Sequence, residues 1–396
     1  MKVAVVSGTP VFPTSEGNRA RILQFCRELN RMDHEVWFLY LPWQGKIDDV
    51  AHIAEFGPRF VQLEDDFSRS CAPLGFRVMR KFGAALGLTS AKLNHLDEFF
   101  VPSWAAQLRE LNTRVAFDYC LVEYVFHSKA LEAFPNAIGI IDTHDRFANR
   151  HLALVTNRGA ISDWVSLAPA AEIRGFRRAD RIIAIAPNEA SDFKARLGSR
   201  GPIVDEIGHL AVARRAVRDY ISPVGIFVGS ANDPNYVSIR HFIAEVLPRV
   251  RATAPQFELL LAGTICDRIQ DQPGIKRLGF VADLVEAFDR APLAISPMLV
   301  GTGVNIKTIE AMARGVGTIS TVVGARGLPE QLLAGVRQVE DQDDDRFAAT
   351  IVEFVCSAQK REALGRHALE AFLSWRTSQI EALAHVFGSK IDTDMN

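Results

Sequence analysis

The chain has 396 residues, 48% hydrophobic and 23% charged, with a formal net charge of −2. This length suits two domains of ordinary soluble composition, and the near-neutral balance argues against a general nucleic-acid binder, which carries a basic excess. Five scattered cysteines (Cys26, Cys71, Cys120, Cys266, Cys356) include no C-x-x-C pair, so neither a disulfide framework nor a zinc site is expected.

In chain order, "KVAVVS" (2–7) is almost continuously apolar, as strands buried on both faces of a parallel sheet are. Since a signal peptide needs a longer apolar core, this start predicts a strand and a cytoplasmic location. A helix over 17–32 follows, with Ile22, Leu23, Phe25, Cys26 and Leu29 at helical spacing, then a strand over 34–41. This βαβ unit opens an α/β domain, continued by strands at 119–125, 137–143 and 180–187. A second series of strands falls at 224–230, 257–263, 276–281, 293–298 and 317–323, separated by helical patterns at 236–252, 282–291 and 305–314. Two doubly wound α/β domains are therefore expected, the boundary lying within 200–224. The helical stretch 362–387 is expected to break near Ser374, and the last residues read as a polar tail. No apolar run reaches the roughly 18 residues of a membrane span.

Ligands of doubly wound sheets sit beyond the carboxyl ends of the strands. Four loops there carry candidate chemistry. In the first (7–21), Gly17 at a helix start either lets a phosphate or sugar approach the backbone or serves as a turn glycine. The loop lacks G-x-G-x-x-G, so no dinucleotide fingerprint is present. In the second (140–150), His144 and Asp145 stand at a strand end, where the histidine is either structural or a substrate contact. No second histidine lies at ligand spacing, so a metal is not expected. In the third (227–238), Gly229 and Ser230 permit close approach of a ligand or simply make a turn.

The fourth is "GTGVNIKTIEAMARG" (301–315). Amides of Gly303, Val304 and Asn305 at the helix start make an anion site, and Lys307 and Glu310 share a helical face. A surface ion pair would account for two charges three residues apart, but not for their place in an apolar helix. A lysine for phosphate and a carboxylate for ribose hydroxyls account for both.

Together with "RMDHEVWFL", "FVGSANDPNYVSIRHFIAEVLPRV", "IKRLGFVADLVEAFDRAPLAISP" and the closing "SW" helix, the stretch 301–328 resembles a GT-B glycosyltransferase of the retaining GT4 group. The nearest subgroup is the bacterial exopolysaccharide type, with its Pro-Asn loop and Gly-x-Gly-x-x-x-Lys helix start. The resemblance implies an N-terminal acceptor-binding Rossmann-like domain (1–207), a nucleotide-sugar-binding domain (208–374) and a C-terminal helix (375–396) crossing back onto the first. It places Glu310 at the second position of the family's Glu-x7-Glu signature, on the ribose. The first position is Thr302, so the carboxylate that orients the donor sugar is missing. The family's Arg and Lys after the first strand of the second domain are missing too, which leaves Lys307 to meet the diphosphate. His144 falls beside the donor sugar, Gly17 beside the phosphates, and Phe280 and Val281 around the base. Asn18, Arg19 and Asp145 are assigned to the acceptor.

The function so implied is metal-independent transfer of a sugar from a nucleotide-sugar donor to a bacterial glycan or lipid-linked acceptor, with no cofactor. A non-catalytic GT-B partner subunit and a nucleotide-sugar epimerase are the alternatives, the first favoured somewhat by Thr302. Between Phe67 and Leu96 there is no acidic residue, while Arg69, Arg77, Arg80, Lys81 and Lys92 alternate with Phe76, Val78, Met79, Phe82, Leu86 and Leu88. This stretch is either an ordinary helix with a basic outer side or a contact for an anionic membrane surface.

Overall fold

The computed structural model describes residues 1–14, 16–47, 49–65, 67, 70–153, 155–156, 159–160, 165–214, 222–281 and 287–388. Arg69, the start of the 282–291 helical pattern and the polar tail from residue 389 lie outside the described residues, as does 215–221 within the expected boundary.

Strands β1 (Lys2–Ser7), β2 (Glu35–Tyr40), β3 (Phe60–Gln62), β4 (Tyr119–Glu123) and β5 (Ile138–Asp142) precede a short antiparallel ribbon, β6 (Val155–Thr156) with β7 (Gly159–Ala160). Strands β8 (Arg181–Ala184) and β9 (Ile203–Glu206) complete a seven-stranded parallel sheet of order β3-β2-β1-β4-β5-β8-β9. A second parallel sheet is built from β10 (Val224–Val228), β11 (Glu258–Ala262), β12 (Ile275–Gly279), β13 (Leu293–Ser296), β14 (Gly317–Thr321) and β15 (Val336–Val339), in the order β12-β11-β10-β13-β14-β15. Each order reverses direction beside its first strand, so both domains are doubly wound. The apolar runs behave as expected: Val3 to Val6 are wholly buried because helices cover both faces of the sheet. The short strands β3, β9 and β15 have no sequence counterpart in the expected set. They are outer strands: β3 has only three residues, and charged or polar residues (Asp205 and Glu206 in β9, Arg337 and Gln338 in β15) interrupt the apolar run that marks the inner ones.

The C-terminal helix, Ala358–Phe387, corrects one expectation, for it runs unbroken through Ser374. Its buried residues Ala368, Phe372, Trp375, Gln379 and Leu383 recur at spacings of three and four, one continuous stripe. Ser374 lies on the exposed side, where its weak helix preference costs only a few tenths of a kcal/mol. The stripe changes domains partway along. Phe372 and Trp375 pack with Ile309 and Met312, whereas Leu383, Val386 and Phe387 pack with Val3 and Phe25. Gln379 Oε1 accepts from the Gly208 amide at 2.8 Å, and a side chain at Gly208 would collide with the Trp375 ring. Among the described residues, no helix is long and apolar enough to cross a membrane.

Candidate active site

The carboxyl ends of both sheets face a cleft of about 880 Å³. From the first domain come Gly17, Asn18 and Arg19 at the start of helix Gly17–Arg31, and Tyr124, His144 and Asp145 after β4 and β5. From the second come Gly229, Ser230 and Asn235 after β10, and Thr302, Val304, Asn305 and Lys307 after β13. Parallel sheets put every strand's carboxyl end on one edge, which is why residues so far apart in sequence converge here.

The second-domain wall is cationic. Lys307 Nζ donates to Asn235 Oδ1 at 2.8 Å and stands 5.3 Å from the Phe227 ring centre. Burial, and then the positive charge of Arg326, pull its ammonium from 10.5 down to about 7. Arg326 comes from the loop after β14 and was not singled out in the sequence. The only signal was a charge inside the Gly-rich stretch "GARG". It donates to the carbonyls of Val323 and Thr302, both at 2.7 Å, and its buried Nε has no partner among the described residues. Burial chiefly lowers its pKa to about 10. Neither cation is ion-paired among the described residues. The Asn305 side chain is structural, donating to Ser296 Oγ at 2.8 Å and the Gly324 carbonyl at 3.0 Å to hold the loop against the sheet. Gly303 has φ of 65°, and a Cβ there would stand 3.3 Å from the Asp145 carboxyl carbon, so only glycine fits comfortably.

Thr302, where the resemblance places a glutamate, donates its hydroxyl to Asp145 Oδ2 across the cleft at 2.6 Å. Arg150 joins them, 2.9 Å from Asp145 Oδ2 and 3.2 Å from Thr302 Oγ1. The carboxylate beside Thr302 is thus supplied by the opposite domain. At Gly17 the domains also meet closely, since a Cβ there would lie 3.3 Å from the Ile306 side chain.

Beneath the cleft lies a buried charge network. The β4–β5 register sets Glu123 beside Asp142. Arg21 engages both Asp142 oxygens at 2.7 and 2.8 Å, and His144 Nε2 lies 2.5 Å from Glu123 Oε2. Burial, and secondarily Asp142, raise the Glu123 pKa even though His144 opposes the shift. His144 holds a left-handed φ of 59° and stacks on Tyr124 at 4.1 Å between ring centres. Its ring is therefore fixed by neighbours rather than free in the cleft. The donor atoms of Glu123, Asp142 and His144 lie within 4.8 Å of one another, close enough for a metal. Arg21, however, already supplies the positive charge that a cation would bring to Asp142. Tyr124 also accepts from Asn18 Nδ2 at 2.9 Å, which ties the first loop to this network.

Four sequence-derived candidates do not line the cleft: Glu310, Phe280, Val281, and Gly303, which borders the adjoining recess instead. Glu310 is the main correction: its carboxylate is buried and turned to the interdomain connector, where Oε1 lies 2.6 Å from His209 Nε2 and Oε2 3.7 Å from Arg314. Burial alone would push its pKa up, but the His209 hydrogen bond and the charges of His209 and Arg314 hold it below the usual value. Phe280 is 54% exposed and does not line the cleft, nor does Val281, which packs against the core beside β10.

Residues 222–357 match the family model described as glycosyl transferases group 1. No curated protein matches the chain by sequence. Solved structures with the same architecture include sucrose-phosphate synthase from Thermosynechococcus elongatus, at 16% identity and TM-score 0.65, covering 98% of each chain. TarM of S. aureus, in complex with Fondaparinux, alpha-GlcNAc-glycerol and UDP, is similar at 9% identity and TM-score 0.69, over 98% of this chain and 100% of that one. HepE of Anabaena, in complex with UDP-glucose, is similar at 14% identity and TM-score 0.63, over 98% of this chain and 99% of that one. The fold is GT-B: two Rossmann-like domains facing a cleft, with a C-terminal helix crossing back to the first.

Proposed function

We propose that the protein is a retaining, metal-independent glycosyltransferase that takes its sugar from a nucleotide-sugar. The observation that carries this reading is the pair Lys307 and Arg326, two cations without ion partners among the described residues, on the wall of a cleft large enough for a nucleotide-sugar. The bond from sugar to diphosphate breaks with negative charge growing on the diphosphate. A cation aimed at that charge acts mainly on the rate. Side-chain cations thereby do the work for which other enzymes use a metal. Asp145 and Thr302 lie where the sugar attached to that diphosphate would fall, and His144 borders it on the first-domain side. The family match over the second domain and the UDP or UDP-glucose held by TarM and HepE support the donor class.

Thermal melting with a panel of nucleotide-sugars tests the reading. A donor at a hundred times its dissociation constant stabilises by about 2.7 kcal/mol. No shift with any donor, together with no sugar transferred to a cell-envelope extract, would reject it.

The acceptor is proposed to be a glycan or lipid-linked carrier of a bacterial surface polysaccharide, reached at the inner face of the membrane. Helix Leu74–Ala85 supports this placement with an arrangement opposite to the ordinary one. Phe76, Arg80 and Gly83 face inward, Phe76 against His95 and Arg80 on Glu98 at 2.9 Å. The outward arc is apolar: Leu74, Val78, Met79, Phe82 and Leu86 are 43–73% exposed. Arg77 and Lys81 flank it, whereas Arg80 is already ion-paired. Attachment therefore depends more on apolar insertion than on charge alone. Co-sedimentation with anionic liposomes should fall sharply in a Met79→Ser/Phe82→Ser/Leu86→Ser variant, and only moderately in 0.5 M salt, which shortens the Debye length from about 10 Å at 0.1 M to about 4 Å and screens charge but does not release apolar contacts. Equal recovery of variant and parent in the pellet rules this helix out.

A further inference from the structure

On the far side of the Asp145–Thr302 bridge the two domains enclose a second cavity of about 230 Å³. Asp145, Arg150, Thr302 and Arg326 line both spaces, so cleft and recess share one wall. The opposite side of the recess is the start of helix Pro187–Leu197, which contributes Asn188, Glu189 and Asp192. Ala186 occupies the capping position of that helix, so no side chain caps it.

Glu189 is the group that the fold leaves unexplained. It is 7% exposed, and its buried Oε2 has no hydrogen-bond partner among the described residues. A buried polar group in this state costs about 1–3 kcal/mol. The surrounding cations are committed elsewhere: Arg150 to Asp145, Arg146 to Asp192 at 3.5 Å, and Arg326 to two carbonyls. Burial, and then the negative charge of Asp145, raise the Glu189 pKa well above the carboxylate range. A neutral carboxyl both donates and accepts, which suits a hydroxyl better than it suits an ion. The volume lies below the roughly 300 Å³ at which pockets for drug-sized ligands begin, so the recess admits one ring.

We infer that this recess is an acceptor subsite: it takes one neutral, polyhydroxylated sugar ring, hydrogen-bonded by Glu189, on the opposite side of the Asp145–Thr302 wall from the donor. The inference rests on the glycosyltransferase reading. The ring in the recess is not the one attacked, because the Asp145–Thr302 bridge stands between it and the donor. It anchors an acceptor whose adjoining sugar reaches the cleft, where a hydroxyl oxygen of that sugar bonds to the donor's anomeric carbon as the bond from that carbon to the diphosphate breaks. The diphosphate leaves with the electron pair and takes up the hydroxyl proton.

The test uses saturation-transfer NMR with the methyl glycosides of glucose, galactose, mannose and N-acetylglucosamine, with glucuronate and inorganic phosphate as charged controls. It is run on the full chain with and without UDP. At least one neutral glycoside should give signals with the parent protein. Those signals should persist within a few-fold in Glu189→Gln and disappear in Glu189→Leu, whose melting temperature should be no lower than the parent's because an unsatisfied carboxyl has gone. Asn188→Trp, at the exposed rim, should block the recess with the same loss and without disturbing the core, so the test survives if Glu189→Leu fails to fold. UDP should stabilise parent and variants alike. Undiminished glycoside signals in the variants, no signal from any neutral glycoside with the parent, or a preference for glucuronate or phosphate would overturn the inference. Absence of any UDP effect on the parent would instead reject the donor reading, and the glycoside arm would still decide the recess.

Discussion

Lys307→Met isolates the cation proposed to meet the diphosphate. In the free protein its ammonium titrates at about 7 instead of 10.5, because burial and then Arg326 oppose the charge. A diphosphate beside it favours the charged form and returns the pKa upward, so binding takes up a proton. Above pH 7 the free protein has already lost the proton that the complex needs. Affinity for UDP should therefore fall as pH rises, by at most about tenfold or 1.4 kcal/mol per unit. Because the side chain borders the open cleft, water screens part of this, and a hundredfold fall between pH 7.5 and 9.5 is the upper bound. The second ionisation of a phosphate lies near pH 6, outside this window. Calorimetry in two buffers of different ionisation enthalpy should show uptake approaching one proton per UDP at pH 8.5. The Met variant should bind more weakly at pH 7.5, with a flat profile, and should lose about a hundredfold or more in turnover. Stability carries the opposite sign: between pH 7 and 10.5 the unfolded chain holds a proton that the folded chain lacks, so the ligand-free parent should gain stability as pH rises and the variant should not. A flat affinity profile in the parent, or the same slope in Lys307→Met, would refute the reasoning.

Glu310→Ala strips His209 of its buried partner and should cost about 3 kcal/mol in urea unfolding. Since the carboxyl's folded pKa is lowered, the parent's contribution from it is present above about pH 4.5 and is lost as pH falls further, and the variant should lack that acid sensitivity. Unchanged unfolding with abolished UDP binding would return Glu310 to the ribose and refute this placement. Arg21→Met leaves Asp142 buried without its cation and should destabilise by about 3–5 kcal/mol, with Arg21→Met/Asp142→Leu recovering much of the loss in the same assay. A double variant as unstable as the single one would contradict the pairing. Thr302→Glu sets a second carboxylate against Asp145 in place of a donated hydroxyl. Small-angle scattering should then show a larger radius of gyration than the parent at pH 8, and identical profiles would mean that the bridge does not hold the domains together.

What the sequence determined by itself is everything written in local pattern. Strands buried on both faces must be continuously apolar, so β1, β2, β10 and β13 were legible, and with them the alternation that makes two doubly wound domains. The Gly-rich approach to Lys307 was legible too, because a glycine loop before a charged helix start violates what an ordinary helix needs. The tertiary structure decided which of those charges meet. Arg326 reaches Lys307 only because β13 and β14 lie side by side and deliver their following loops to one edge. Glu123 faces Asp142 through strand register, and that juxtaposition draws Arg21 and His144 inward to neutralise it. Glu310 shares a helix with Lys307 yet points elsewhere, since three residues turn the helix by roughly 300° and bring its carboxylate under the connector carrying His209. Sequence spacing gives each side chain a direction relative to its own element, but burial is the property of an assembled surface. The contacts of His144 with Glu123, Glu310 with His209 and Asp145 with Thr302 join chain segments 21, 101 and 157 residues apart, and only packing could choose them.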